Sequence, residues 1–337
     1  MSRALVLGTQ TPEALRMAIA RAAERLRAGE PVALPTETVY GLAANALDAA
    51  AVARIFAVKG RPAENPVIVH VAGLEMARRC ASAWPAAAER LAAAFWPGPL
   101  TLVLPRAALV PDVVTAGGPT VGLRWPSHPV FQDVVRACGF PLAAPSANRS
   151  SELSPTTAEH VLRSLGDRIS LILDGGRCAV GIESTVVDLS ARPPCLLRPG
   201  MVHEASLRAV VGELAGADRR AAAEPLRSPG LLERHYAPRA RLLLLRWDDD
   251  ADLRRQSAAA GLEPAATQVV AHTRVPSAEG WAGVRLLPRD ARAFAAALYA
   301  ELHETDAAGA AAVVVEAPPE APEWQAIADR LARASVR

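Results

Sequence analysis

Apolar residues recur at Leu15, Ile19, Ala22 and Leu26 behind Thr11 and Pro12 and stop at Gly29, a spacing that predicts a capped helix with one buried stripe. The short run "PVALP" reads as a buried strand, followed by the polar, turn-rich "TETVYGLAAN". Asp48 is the expected cap of a helix ending near Lys59 and Gly60, and "NPVIVHV" is a strand entered at Pro66. Beyond it the pattern predicts helical segments over 74–94, strands "LTLVLP" and "TVGLRWP", a helix over 128–138 and a strand "FPLAAP". A helix over 157–165 and the apolar runs "ISLILD" and "STVVDL" follow. Strands and helices interleave at irregular strand spacing, so an α/β fold on a mixed twisted sheet fits better than a strict βαβ repeat.

The pattern breaks at "GADRRAAAEPLRSPGLLERHYAP", rich in Pro, Gly and charge and weakly periodic, which reads as a linker. After it, "ARLLLLRW", "TQVVAHT" and "AAVVVEA" read as strands, with helices over 250–260, 289–304 and 322–335. That is a compact α/β/α domain of its own. At 337 residues the chain is long for one core, and the expected division is 1–215, a linker over 216–238, and 239–337. "DDDAD" at 248–252 is acidic enough to suggest metal, but it stands where a helix begins, and carboxylates there meet the helix dipole favourably.

Composition narrows the function classes. A formal net charge of +2 leaves no broad cationic surface, so bulk charge gives nucleic-acid binding no support. Cys80, Cys138, Cys178 and Cys195 are far apart with no Cys-x-x-Cys pair, which disfavours zinc and disulfide frameworks and suits buried thiols in a reducing cytoplasm. No apolar run approaches a membrane span or a signal-peptide core. Of the 37 Lys and Arg residues, Lys59 is the only lysine. Lysine offers a compact ammonium on a flexible stem where arginine offers a rigid fork, so a position kept as lysine suits a mobile phosphate ligand, chance survival being the alternative.

Polar residues concentrate where the predicted strands end, the usual ligand position of open α/β sheets. The clusters are Thr36, Glu37, Thr38 and Tyr40; Lys59, Arg61 and Asn65, reaching His70; Thr120 and Arg124; Ser146, Asn148, Ser151 and Ser154; "GIESTVVD"; and Arg198. Singly, each has a structural explanation: a helix cap at Ser154, a packed histidine at His70, surface ion pairs at Arg124 and Arg198, a turn at Asn148. Together they supply cations and donors without a nucleophile and its base, and GxSxG, HExxH and Walker A motifs are absent. Such a set suits phosphate chemistry, where positioning and charge stabilisation dominate.

"PTETVYGLAANA", "KGRPAENPVIVHV", "PGPLTLVLP", "VGLRWPSHP", "APSANRS" and "GIESTVVDL", in this order, closely resemble the L-threonylcarbamoyl-AMP synthases of the YrdC-like family, and "SPGLLERHYAP" and "ALYAELHETDAAGAAAVVVE" resemble its longer, two-domain members. The resemblance implies a YrdC-like twisted sheet, a linker folded as a lid, and a smaller Rossmann-like C-terminal domain. It implies synthesis of threonylcarbamoyl-adenylate from L-threonine, bicarbonate or carbon dioxide, and ATP, with release of pyrophosphate. The product would pass to a separate tRNA threonylcarbamoyltransferase that modifies the adenosine beside the anticodon. Carried over by motif, Lys59 and Arg61 would hold the triphosphate and act in catalysis, with Asn65, Thr120, Ser146, Asn148, Ser154, Arg198 and Tyr236 completing the ATP site. Thr38, His70, Arg124, Ala144 and Ser184 would hold threonine. Mg2+ is expected through the ATP phosphates rather than on a protein cage. The chain departs from the family at "GLLERHYAP", where many members have methionine after the glycine, and at "APEWQAIADRLARA", where a glycine-rich turn is usual.

Two other readings stay open on the residues alone. An RNA-binding module for tRNA or double-stranded RNA is disfavoured by near-neutral charge and by the lack of interleaved aromatic and basic residues, leaving only weak RNA binding open. The related carbamoyl-transfer domain of hydrogenase-maturation proteins comes with acylphosphatase-like and zinc segments that this chain lacks.

Overall fold

The computed structural model of the chain describes residues 3–216 and 236–335. They fall into two compact units: residues up to 150 with 154–216, and residues 236–335 with 151–153. The first unit carries β1 (Leu5–Gly8), β2 (Val32–Leu34), β3 (Gly41–Asn45), β4 (Val69–His70), β5 (Leu100–Pro105), β6 (Thr120–Arg124), β7 (Leu142–Ala143), β8 (Leu171–Asp174), β9 (Thr185–Asp188), β10 (Cys195–Arg198) and β11 (Ala215–Gly216). They form one sheet in the order β1-β8-β2-β3-β7-β4-β6-β5-β9-β10-β11. Pairing is mixed: β4 runs parallel to β6 and antiparallel to β7, and β5 runs parallel to β9 and antiparallel to β6.

Both faces of the sheet are covered, which is why "VAL" in β2 is continuously apolar rather than alternating. Val32 and Leu34 pack with Leu26 of the helix Pro12–Arg27 and Phe131 of the helix Pro129–Cys138. Ala33 lies on the opposite face, with Ile55 of the helix Ala49–Lys59 and Val161 of the helix Ala158–Leu165. The helix starts follow their caps: Thr11 accepts from Ala14 N–H, and Asp48 from Ala50 and Ala51 N–H.

The helical segments expected over 74–94 are two helices, Leu74–Cys80 and Ala86–Phe95, with Pro85 as the cap of the second. One expected element changes form. Gly41–Asn45, inside the stretch read as turn-rich, is a strand. Gly41 makes close room there, since a Cβ would lie 3.2 Å from the Ala144 Cβ.

The second unit has β12 (Arg241–Leu245), β13 (Thr267–Ala271), β14 (Gly283–Leu286) and β15 (Ala312–Glu316), all parallel in the order β12-β15-β13-β14. Its helices are Asp250–Ala259, Ala291–Ala307 and Gln325–Ala334. "DDDAD" is a helix start: Asp249 caps it by accepting from Asp252 N–H at 2.8 Å. Most of the expected linker, and with it the expected lid, lies outside the described residues.

Candidate active site

The helix Ala49–Lys59 stops at Gly60, whose left-handed φ of 63° closes the C-terminus, with Gly60 N–H donating to Phe56 O. Lys59 is therefore the last helical residue, and it is buried. Its Nζ donates to Ser146 O at 2.6 Å and to Asn148 O. Ser150 N–H returns a bond to Lys59 O at 2.9 Å, so the Lys-Gly-Arg and Ser-Ala-Asn motifs are locked together. Arg61 reaches back over its own loop, Nε donating to Asn65 O at 3.1 Å and Nη2 to Pro66 O at 2.8 Å. The Asn65 side chain is buried, and neither its Oδ1 nor its Nδ2 has a hydrogen-bond partner among the described residues. Buried amides normally find partners, which sets this one apart from the rest of the loop.

A second group gathers along β4 and β6. The register pairs Val69 with Leu123 and His70 with Arg124, which sets the histidine and the guanidinium side by side at the ends of the two strands. Arg124 Nη2 lies 2.8 Å from Glu37 Oε1, both side chains being buried, and its Nε donates to Gly98 O at 3.3 Å. His70 packs at 5.1 Å from the Phe131 ring, with Nδ1 3.2 Å from Ile68 O. Burial first, and then the Arg124 guanidinium, pull the His70 pKa down to about 3, so the ring is neutral at ordinary pH. Thr36 builds the preceding turn: its Oγ1 accepts from Thr38 N–H at 3.1 Å and Val39 N–H at 3.2 Å and sits 2.8 Å from Thr38 Oγ1. Ala144 N–H donates to Ile68 O, holding the loop after β7 beside β4.

The third group centres on Ser184, whose Oγ is 2.8 Å from Thr101 Oγ1 and accepts from Arg198 Nη2 at 3.2 Å. Arg198 Nε also donates to Ser184 O at 3.1 Å. Gly200 permits this approach, because a Cβ there would lie 2.4 Å from Thr185 N. Ser154 is no helix cap; its Oγ donates to Glu183 Oε1 at 2.6 Å. Tyr236 belongs to the second unit, where its ring is buried against Tyr299 at 6.0 Å with the Arg330 guanidinium 5.4 Å over it.

Glu37, Glu183 and Thr101 are buried here without a role assigned from the sequence. Glu37 and Glu183 stood within polar clusters of the sequence, and Thr101 was a lone hydroxyl in an apolar strand run. Among the described residues no group of three or more His, Cys, Asp or Glu is placed to hold a metal ion, and no helix is long and apolar enough to cross a membrane. Burial pushes the Cys178 thiol up to about 12, and those of Cys80 and Cys138 up to about 11, so none is an activated nucleophile.

A family model described as telomere recombination, Sua5_yciO_yrdC, matches residues 24–200, and one described as the threonylcarbamoyl-AMP synthase C-terminal domain matches 202–336. A threonylcarbamoyl-AMP synthase of Pyrococcus abyssi is 47% identical over 226 residues, 66% of this chain and 66% of that protein's length. One from Schizosaccharomyces pombe is 36% identical over 96% of this chain and 90% of its own. The crystal structure of Pyrococcus abyssi Sua5 complexed with L-threonine superposes with a TM-score of 0.89 at 36% identity, covering 98% of this chain and 97% of that one.

Proposed function

The chain belongs to the threonylcarbamoyl-AMP synthase family, and from that membership we propose that it makes L-threonylcarbamoyl-AMP from L-threonine, carbon dioxide or bicarbonate, and ATP, releasing pyrophosphate. The product serves tRNA N6-threonylcarbamoyladenosine synthesis in the cytoplasm, a separate transferase carrying out the later step. The observation that carries this reading is the bond from Lys59 Nζ to the Ser146 and Asn148 carbonyls, which joins two motifs far apart in sequence into one donor surface.

In this reading the phosphates of ATP lie against Lys59 and Arg61 with Asn65 nearby, and Thr120, Ser146, Asn148, Ser154 and Arg198 complete the nucleotide site. L-Threonine lies against Thr38, His70, Arg124, Ala144 and Ser184. The guanidinium of Arg124 matches a carboxylate as a two-pronged donor. Neutral His70 offers hydrogen bonding without competing for that charge. The threonine amine becomes a carbamate, whose oxygen attacks the α-phosphorus in line with departing pyrophosphate. Lys59 and Arg61 offset the charge that builds on the leaving group, a preorganised electrostatic effect. The donor set is cationic rather than acidic, so Mg2+ would arrive with the triphosphate and add to that neutralisation.

The test is mass-spectrometric detection of threonylcarbamoyl-AMP from purified protein with ATP, Mg2+, bicarbonate and L-threonine. The native chain should need all four components. Lys59→Ala should lower the yield by about a hundredfold or more. Folded native protein that makes no product sinks the proposal.

A further inference from the structure

Arg124 has an assignment in the reading above and its buried partner Glu37 has none. Glu37 is only 8% exposed, yet neither of its oxygens, nor Arg124 Nη2, has a hydrogen-bond partner among the described residues. The 2.8 Å contact between them is therefore an ion pair without hydrogen-bond alignment. A pair taken out of water in this way is poorly compensated, since the interior normally requires good geometry and further hydrogen bonds.

The position is nevertheless built. Val180 N–H donates to Glu37 O at 2.7 Å and Gly181 N–H to Thr38 O at 3.1 Å, while Thr36 Oγ1 ties the turn internally. The neighbouring groups do not duplicate Glu37: Glu183 Oε1 is taken by Ser154, and His70 is neutral. What remains is an unfilled carboxylate facing an incompletely filled guanidinium, a receptor with one negative and one positive half. An α-amino acid carries the complementary charges on a single carbon.

We propose that Glu37 receives the α-ammonium of threonine while Arg124 receives its carboxylate, and that the pair closes on itself when no amino acid is bound. The closed pair offsets the two buried charges only in part, and the incoming zwitterion opens it and supplies the missing hydrogen bonds. The site thereby selects free amino acids over hydroxy acids, which lack the ammonium, and over amines, which lack the carboxylate. The proposal rests on the threonine reading of the site and adds a positioning residue to it.

Calorimetric titration with L-threonine and with (2S,3R)-2,3-dihydroxybutanoate, in which a hydroxyl replaces the amine, tests it. The native chain should bind the hydroxy acid at least about tenfold more weakly. The near-isosteric Glu37→Gln should lose a similar factor for threonine and bind the two ligands almost equally, with ATP binding retained. A variant that keeps the native preference overturns the proposal. So does a native chain that binds the hydroxy acid as tightly as threonine, a result that needs no variant to fold. A native chain that binds ATP but neither ligand overturns the threonine reading itself, and the role of Glu37 with it.

Discussion

Glu37 and Glu316 are both buried carboxylates just past or at the end of a strand, 8% and 7% exposed, and they are held in opposite ways. Glu316, at the end of β15, accepts N–H groups from His272 at 2.7 Å, Thr273 at 2.8 Å and Arg274 at 3.2 Å. His272 in turn packs between Phe294 and Trp324. Glu37 follows β2, and its carboxylate faces a guanidinium and accepts no hydrogen bond among the described residues. The difference separates two uses of a buried charge. A carboxylate saturated by backbone donors is a brace that fixes a loop, whereas one left short of donors is a binding group awaiting them.

The strongest way to break this contrast is to remove both carboxylates and measure stability. Glu316→Ala strands three backbone N–H groups and should destabilise the second unit by roughly 3 kcal/mol or more, read by scanning calorimetry. Glu37→Ala alone would strand the buried Arg124 charge, so the matching variant is the double Glu37→Leu, Arg124→Leu, which should leave stability nearly unchanged. Equal losses from the two variants would show that both are braces.

A smaller effect, on the order of a few kcal/mol, comes from His70. Its folded pKa of about 3 lies below the ordinary 6.5, so between those values the unfolded chain binds a proton that the folded chain refuses. Its contribution is complete above pH 6.5 and is lost as pH falls toward 3. Urea denaturation at pH 7.5 and pH 4.5 should therefore show a larger drop for the native chain than for His70→Phe. An identical drop would mean that burial, with the Arg124 charge beside it, does not keep the ring neutral.

The smallest effect sharpens the placement of Glu37. His128 has its pKa lowered chiefly by burial, while the Glu37 charge pulls the other way. Glu37→Gln should shift the His128 titration further down, measured by NMR. An unmoved titration would place Glu37 too far from His128 to act on it.

Much of the frame was readable along the chain because its causes are local. Thr11-Pro12, Asp48 and Gly60 set helix ends within a turn of themselves, and the acidic run at 248–252 announces a helix start by the same rule. The clustering of polar residues at strand ends was equally readable, and so was the singularity of Lys59. The partners were not. Lys59 meets Ser146 across 87 residues and Thr101 meets Ser184 across 83, contacts created only when β7 and β4 lie side by side and β5 pairs with β9. Ser154 looked like a cap because Ser-Pro commonly starts a turn; its hydroxyl instead serves Glu183, on a loop that nothing in its own neighbourhood predicts.

The sequence by itself determined where several helices begin and stop, which runs are buried, and that cations and hydrogen-bond donors gather at the strand ends. Those follow from capping, side-chain volume and periodicity, which act over a few residues. Only the tertiary structure decided that Lys59 grips two carbonyls of the Ser-Ala-Asn loop, that His70 is neutral, and that Glu37 stands unfilled against Arg124. Each depends on desolvation and on partners brought together by non-consecutive strand order, and neither burial nor partnership is a property of a residue before the sheet has closed around it.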